Sequence, residues 1–186
     1  MAKKKFSDID EIIKQKWLVE FNRKPLEEKS LFGFILAHND KFTMIHYFDR
    51  SLFILDGYQV FQNNSIESYF VYDDEDYFLS EVIRFKKIKP KPIPQISIEN
   101  WNEILQSVSD NFPLILIEQE EIDNEVCYVG ILEKLNADSF DLEEIDASAE
   151  YYGLSNYKFD NLTKVGFDGQ YENTLAFVIE NRYENK

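Results

Sequence analysis

The sequence predicts a mainly β chain with short helices, arranged as two tandem small five-stranded barrels, each preceded by a helix. Three observations predict it. The two halves repeat one order of elements, their apolar runs are strand-length with apolar residues on both sides, and a stiff segment, KKIKPKPIPQIS, separates them. On this reading residues 1–85 form a first helix-plus-barrel unit, 86–96 a Lys/Pro-rich linker and 97–186 a second unit.

Each half opens on a helix signal. In FSDIDEIIKQKW, Ser7 stands before Asp8 and Asp10; in SIENWNEILQSVSDN, Ser97 stands before Glu99 and Asn100. A capping hydroxyl followed by acidic residues suits a helix start, where the backbone dipole favours negative charge. Apolar residues then recur at helical spacing, Phe6, Ile9, Ile12 and Ile13 in one, and Ile98, Trp101, Ile104, Leu105 and Val108 in the other.

Strand signals follow in the same order. WLVEF and then LFGFILAHNDKFTMIHYFD in the first half correspond to FPLILIEQE and then YVGILEKLNADSFDLEEID in the second. Gly33 aligns with Gly130 and Asn39 with Asn136, and a one-residue gap then aligns Phe42 with Phe140 and Met44 with Leu142. Glycine inside a strand marks a bend or bulge. DGYQVFQNNSIESYFVYDDEDYF and YYGLSNYKFDNLTKVGFDGQYENTL both read as strand, polar turn, strand, polar turn and a last short element. In FTMIHYF, Phe42, Met44, His46 and Phe48 share one side, yet the other side is apolar too. Small closed barrels fit such strands better than an open sheet with one wet face.

The charge is unevenly divided. Through Pro92 there are 15 Lys and Arg against 15 Asp and Glu; from Ile93 there are 5 against 20, so the whole formal charge of −15 lies in the second half. Such asymmetry suggests two units with different surfaces, the acidic one suited to a basic partner. In KKIKPKPIPQIS, Pro90, Pro92 and Pro94 hold the chain extended and remove backbone donors, as a semi-rigid spacer does.

A short helix followed by five bent strands resembles the Sm-like, or SH3-like, small barrel. The closest correspondence is Gly130-x-Leu132 followed by Asp138, Phe140 and Leu142. The arrangement also resembles bacterial proteins of unknown function that carry an Asp-Gly-Tyr segment, here Asp56-Gly57-Tyr58, and a strand like NLTKVGFDGQY. The Sm-like resemblance implies RNA binding by a ring of subunits, an Asp and Asn from one loop and an Arg-Gly from another holding the base. Asp138 occupies the Asp position, but Asp141 falls at the Asn position, and the second loop offers Asn161 and Gly166 without an arginine. The first copy has Asp40 and then Thr43. Phosphate binding needs a cationic face, so the acidic second half argues against nucleic acid.

Catalytic patterns are lacking in the sequence. His38 and His46 stand eight residues apart with no second ligand cluster, and no phosphate loop, nucleophile elbow or metal-binding helix motif is present. The acidic runs DDED and EQEEIDNE lack the spacing and glycine of a calcium loop and read as solvated hairpin turns. Glu143 and Glu144 are adjacent on a strand and so face opposite ways, which unsuits them as an acid/base couple. Cys127, the one cysteine, reads as a small buried hydrophobe in CYVGIL. No catalytic, cofactor-binding or metal residue is assigned, and no cofactor.

What remains is a non-catalytic binding module that recognises another protein through its acidic second half. The candidate partner-binding residues are Glu143, Glu144, Asp146, Tyr151 and Tyr152, since tyrosines beside charge are common at interfaces. Tyr69, Phe70, Tyr72, Tyr77 and Phe78, around the acidic turn of the first half, are either a second such surface or barrel filling. An Sm-like RNA-binding protein is the alternative, and an enzyme or metal-binding protein of unknown type a further one. Strand edges make a homo-oligomer a reasonable expectation. The apolar runs are too short to span a bilayer and the first residues lack a secretion-signal pattern, so no membrane association and a cytoplasmic location are expected.

Overall fold

The computed structural model describes residues 9–92 and 95–183. The chain divides into two compact units, Met1–Ile93 and Pro94–Lys186. Ser7 and Asp8 of the first predicted helix start lie outside the described residues, as does Pro94 of the proline segment.

The first unit begins with α1 (Ile9–Gln15), which buries Ile9 and Ile12 and ends at Lys16 in the left-handed region (φ 55°). Five strands follow, β1 (Leu18–Asn22), β2 (Leu31–His38), β3 (Phe42–Asp49), β4 (Ile54–Gln62) and β5 (Ser68–Val71), and then α2 (Phe78–Lys86). They are hydrogen-bonded antiparallel in the order β5-β1-β2-β3-β4. The second unit repeats the plan: α3 (Trp101–Ser109), β6 (Ile115–Glu118), β7 (Cys127–Leu135), β8 (Ser139–Ile145), β9 (Tyr151–Lys158), β10 (Lys164–Phe167) and α4 (Gln170–Tyr183). Its strand order is β10-β6-β7-β8-β9, again antiparallel.

Mainly β structure with short helices is therefore correct, but the closed barrels are not formed. Closure would require β5 to pair with β4 and β10 with β9; neither pairing is formed, and the strand order of each unit is open. The doubly apolar strands that suggested a barrel have another cause, because both faces of the first unit's sheet are covered. On one face Val19, Phe21, Leu31, Ile35, Ile45 and Phe61 pack with Ile12 of α1. On the other, Leu18, Phe32, Phe34 and Phe48 pack with Leu79 of α2. A sheet buried on both sides shows no alternation of apolar and polar residues. In the second unit α3 buries Trp101, Ile104, Leu105 and Val108 and lies against β6 and β7. Leu175 of α4 joins a separate core with Leu114, Val129 and Ile145.

Three local readings change. The cap of α3 is Asn100, whose side chain accepts from Glu103 N–H at 3.0 Å, while Ser97 donates its hydroxyl to the Glu103 carboxylate at 2.6 Å. Each unit also ends in a helix, α2 and α4, where the sequence suggested only a short last element. Lys86 belongs to α2, and the proline segment is docked: Lys91 N–H donates to His46 Nδ1 at 3.2 Å, on a buried ring stacked 4.3 Å from Tyr58.

The repeat is closer than the sequence alignment made it. Gly33 and Gly130, Asn39 and Asn136, and Ile45 and Leu142 all stand 97 positions apart with no gap between, so the one-residue gap is unnecessary. Each central hairpin carries a bulge just after its glycine, between Ile35 and Ala37 in one and Leu132 and Lys134 in the other. A Cβ on Gly33 would meet Ile45 Cδ1 at 2.6 Å and His46 O at 2.8 Å, and one on Gly130 would run into the Glu143 carbonyl oxygen and lie 2.8 Å from Leu142 Cγ. Gly166 differs, since an added Cβ would sit in ordinary contact, 3.5 Å from Leu116. Urea unfolding should therefore show Gly33→Ala and Gly130→Ala each costing about 1–3 kcal/mol. Gly166→Ala should stay within about 0.5 kcal/mol of the parent.

Candidate partner-binding surface

The candidate residues lie on β8, β9 and the turn that joins them. In β8, SFDLEEI, Phe140 and Leu142 are buried and Asp141 and Glu143 half-buried, the alternation of a strand with one covered face. It slips at Glu144, and the β8–β9 register shifts between Glu144 and Ile145. Tyr152 is the extra residue of that bulge, since Glu144 pairs with Gly153 and Ile145 with Tyr151. Gly153 takes φ 140°, a conformation that side-chain-bearing residues rarely adopt.

The five candidates part into two groups. Glu144 is flanked across the sheet by Gly130 and Gly153, and its carboxylate accepts the Tyr157 hydroxyl at 2.7 Å. Asp146 forms the turn, its carboxylate accepting Ser148 N–H at 2.8 Å and Glu150 N–H at 3.0 Å. Both acids thus serve the chain's own structure. Tyr151 and Tyr152 are 44% and 78% exposed, while Glu143 is half-buried and pairs with Ile131 and Leu154. Leu154, not foreseen from sequence, is 65% exposed beside them.

An apolar groove of about 520 Å³ adjoins this surface, lined by Leu114, Ile131, Tyr151, Ala176, Ile179 and Glu180. Sequence reading missed it because α4, which supplies one wall, was not recognised as a helix. Arg182, near the end of α4, donates to the carbonyls of Ser148 and Ala149 at 2.8 and 3.1 Å and to the Glu150 carboxylate at 2.8 Å. The last helix is thereby tied to the β8–β9 turn, and Phe177 on it is 64% exposed.

The other singled-out residues are placed elsewhere. Cys127 is exposed rather than buried, and partial desolvation, then Glu118 and Glu172, raise its thiol pKa, which disfavours the thiolate. His38 Nδ1 lies 2.8 Å from the Thr43 hydroxyl, which donates to Asn63 Oδ1 at 2.7 Å; the ring must therefore donate, and desolvation lowers its pKa. DDED is a mostly exposed turn but not a hairpin, since it joins β5 to α2; Asp74 accepts Asp76 N–H there at 3.0 Å. EQEEIDNE is not wholly solvated: Glu118 and the buried Glu120 lie 3.0 and 3.5 Å from the buried ammonium of Lys164. Phe70, Tyr72 and Tyr77 are packed edge to face on one another at 4.9 to 5.7 Å, with Phe70 and Tyr72 half-buried and Tyr77 and the neighbouring Phe78 exposed. Asp141, at the Sm-like Asn position, accepts Asn156 Nδ2 at 2.6 Å.

Among the described residues no helix is long and apolar enough to cross a membrane. No protein-family model, curated protein or solved structure matches the chain.

Two buried-side phenols report on this architecture. Desolvation and a hydrogen bond to Glu20 push the Tyr72 pKa up to about 12, and desolvation and Glu144 raise that of Tyr157 as well. The folded values exceed the unfolded one of about 10, so the contribution is full below pH 10 and is lost as pH rises through the folded values. Phenolate absorbance should show two tyrosines ionising late, together with unfolding. Tyr157→Phe should remove one of them.

Proposed function

We propose that the chain is a non-catalytic binding module that recognises a basic protein surface through its acidic second unit. One observation carries this reading: Glu143, Tyr151, Tyr152 and Leu154 stand together at the surface beside an apolar groove, on the half that holds all of the net charge. Tyrosine and leucine supply apolar contact area, and carboxylates around them steer a cationic partner. Glu143 is the acid for partner contact, because Glu144 and Asp146 are bonded within the unit. The positively charged face that nucleic acid requires is not offered by this half of the chain.

The test is a titration of a partner captured from the native cell and then purified. Its affinity should fall about tenfold or more between low salt and about 0.5 M salt, where the screening length drops to a few ångström. Glu143→Lys and Tyr152→Ala should each weaken it, while Phe85→Ala in the first unit should not. Binding indifferent to salt and to both substitutions in the second unit would sink the reading.

A further inference from the structure

We propose that the partner docks by strand addition, an extended lysine- or arginine-bearing segment pairing with the open edge of β9. The inference rests on the reading of the second unit as an acidic protein-binding surface and specifies how that surface is used.

Among the described residues β9 is an end of the strand order and pairs with β8 alone. Beyond the bulge, Gly153 to Lys158 form a regular ladder with Glu144 to Ser139, so alternate residues direct both N–H and C=O away from β8. Open edges are usually blunted by proline, by charge or by being short. β9 has eight residues, no proline, and no charged side chain before Lys158. In the first unit the edge strand β5 is only four residues long. The bulge at Tyr152 and Gly153 limits pairing to Leu154 onward and turns Tyr152 outward, where it can cover an incoming chain.

Charge selects the occupant. Leu154 pairs with Glu143 and Asn156 with Asp141; Asp141 is held by the Asn156 amide, so a strand laid along β9 meets one apolar side chain with the Glu143 carboxylate a strand behind it. An alternating apolar and cationic segment matches that surface. A second copy of the acidic unit does not, since it would bring together two units that each carry 20 Asp and Glu against 5 Lys and Arg in sequence. Lys158 places the incoming cations near Leu154 and Asn156 rather than at the far end of the strand. Backbone pairing supplies affinity and the alternate side chains supply selection, as in other strand-addition complexes.

The experiment uses the full chain, labelled for amide NMR, and two capped octapeptides, one alternating Lys and Val and one alternating Glu and Val. With the lysine peptide, one alternate set of amides between Gly153 and Lys158 should shift and exchange about tenfold more slowly. The glutamate peptide should do neither, and Glu143→Lys should abolish the effect of the first. If the lysine peptide binds without slowing any β9 amide, strand addition is wrong although the acidic surface still binds cations. Equal effects of both peptides, or no binding of either, overturn the inference. So does protein concentration alone protecting β9, because the occupant is then a second copy; the partner titration above tests the broader reading separately.

Discussion

At Gly33 and again at Gly130 two neighbouring strands approach so closely that no Cβ fits between them, and each unit is arranged around that approach. Only hydrogen fits there, because the facing atoms include backbone that cannot move aside without breaking its own ladder. The bulge that follows each glycine re-aims the strand, and the Asn39–Phe42 and Asn136–Ser139 hairpins close it with the same backbone bond, at 3.0 and 2.8 Å. In the second unit the consequences reach the surface. Glu144 lies between two glycines and is bonded to Tyr157, while Glu143 stands across the sheet from the exposed Leu154.

Much of this was legible in the sequence, and what was not has physical reasons. Matching glycines and asparagines disclosed the repeat, and turn residues placed most strand breaks. Openness could not be read from strands with two apolar sides, since burial between two helices and burial inside a barrel impose one and the same pattern. Both covering helices escaped notice: FLSEVIRFK follows an aromatic run, and QYENTLAFVIENRY mixes polar residues among its apolar ones. The candidate surface was half legible. Adjacent acids on a strand were rightly assigned opposite faces, but which of them the structure would use depended on Tyr157, a residue of the next strand.

Charge shows a similar limit. Formal charge locates the acidic half, yet some carboxylates are not part of its surface. Glu118 and Glu120 gather around Lys164, more than forty residues later in sequence and buried. In the first unit Arg23 is fully buried, its guanidinium 2.8 Å from Glu27 and lying over Phe61. Buried ions of this kind depend on every partner being present, because removing one leaves its counterpart desolvated and unpaired. The field that an approaching molecule meets is therefore set by the remaining carboxylates, of which Glu143 is one.

The strand order also bears on how the chain acquires its structure. All strand pairings within the first unit involve residues no later than Val71, and α2, which covers one face, ends at Lys86. A chain synthesised from its N-terminus thus holds every segment of that ladder before Trp101 of the second unit exists. Nascent folding by units, the first sheet settled while the acidic half is still being translated, keeps two similarly ordered sets of strands from exchanging partners.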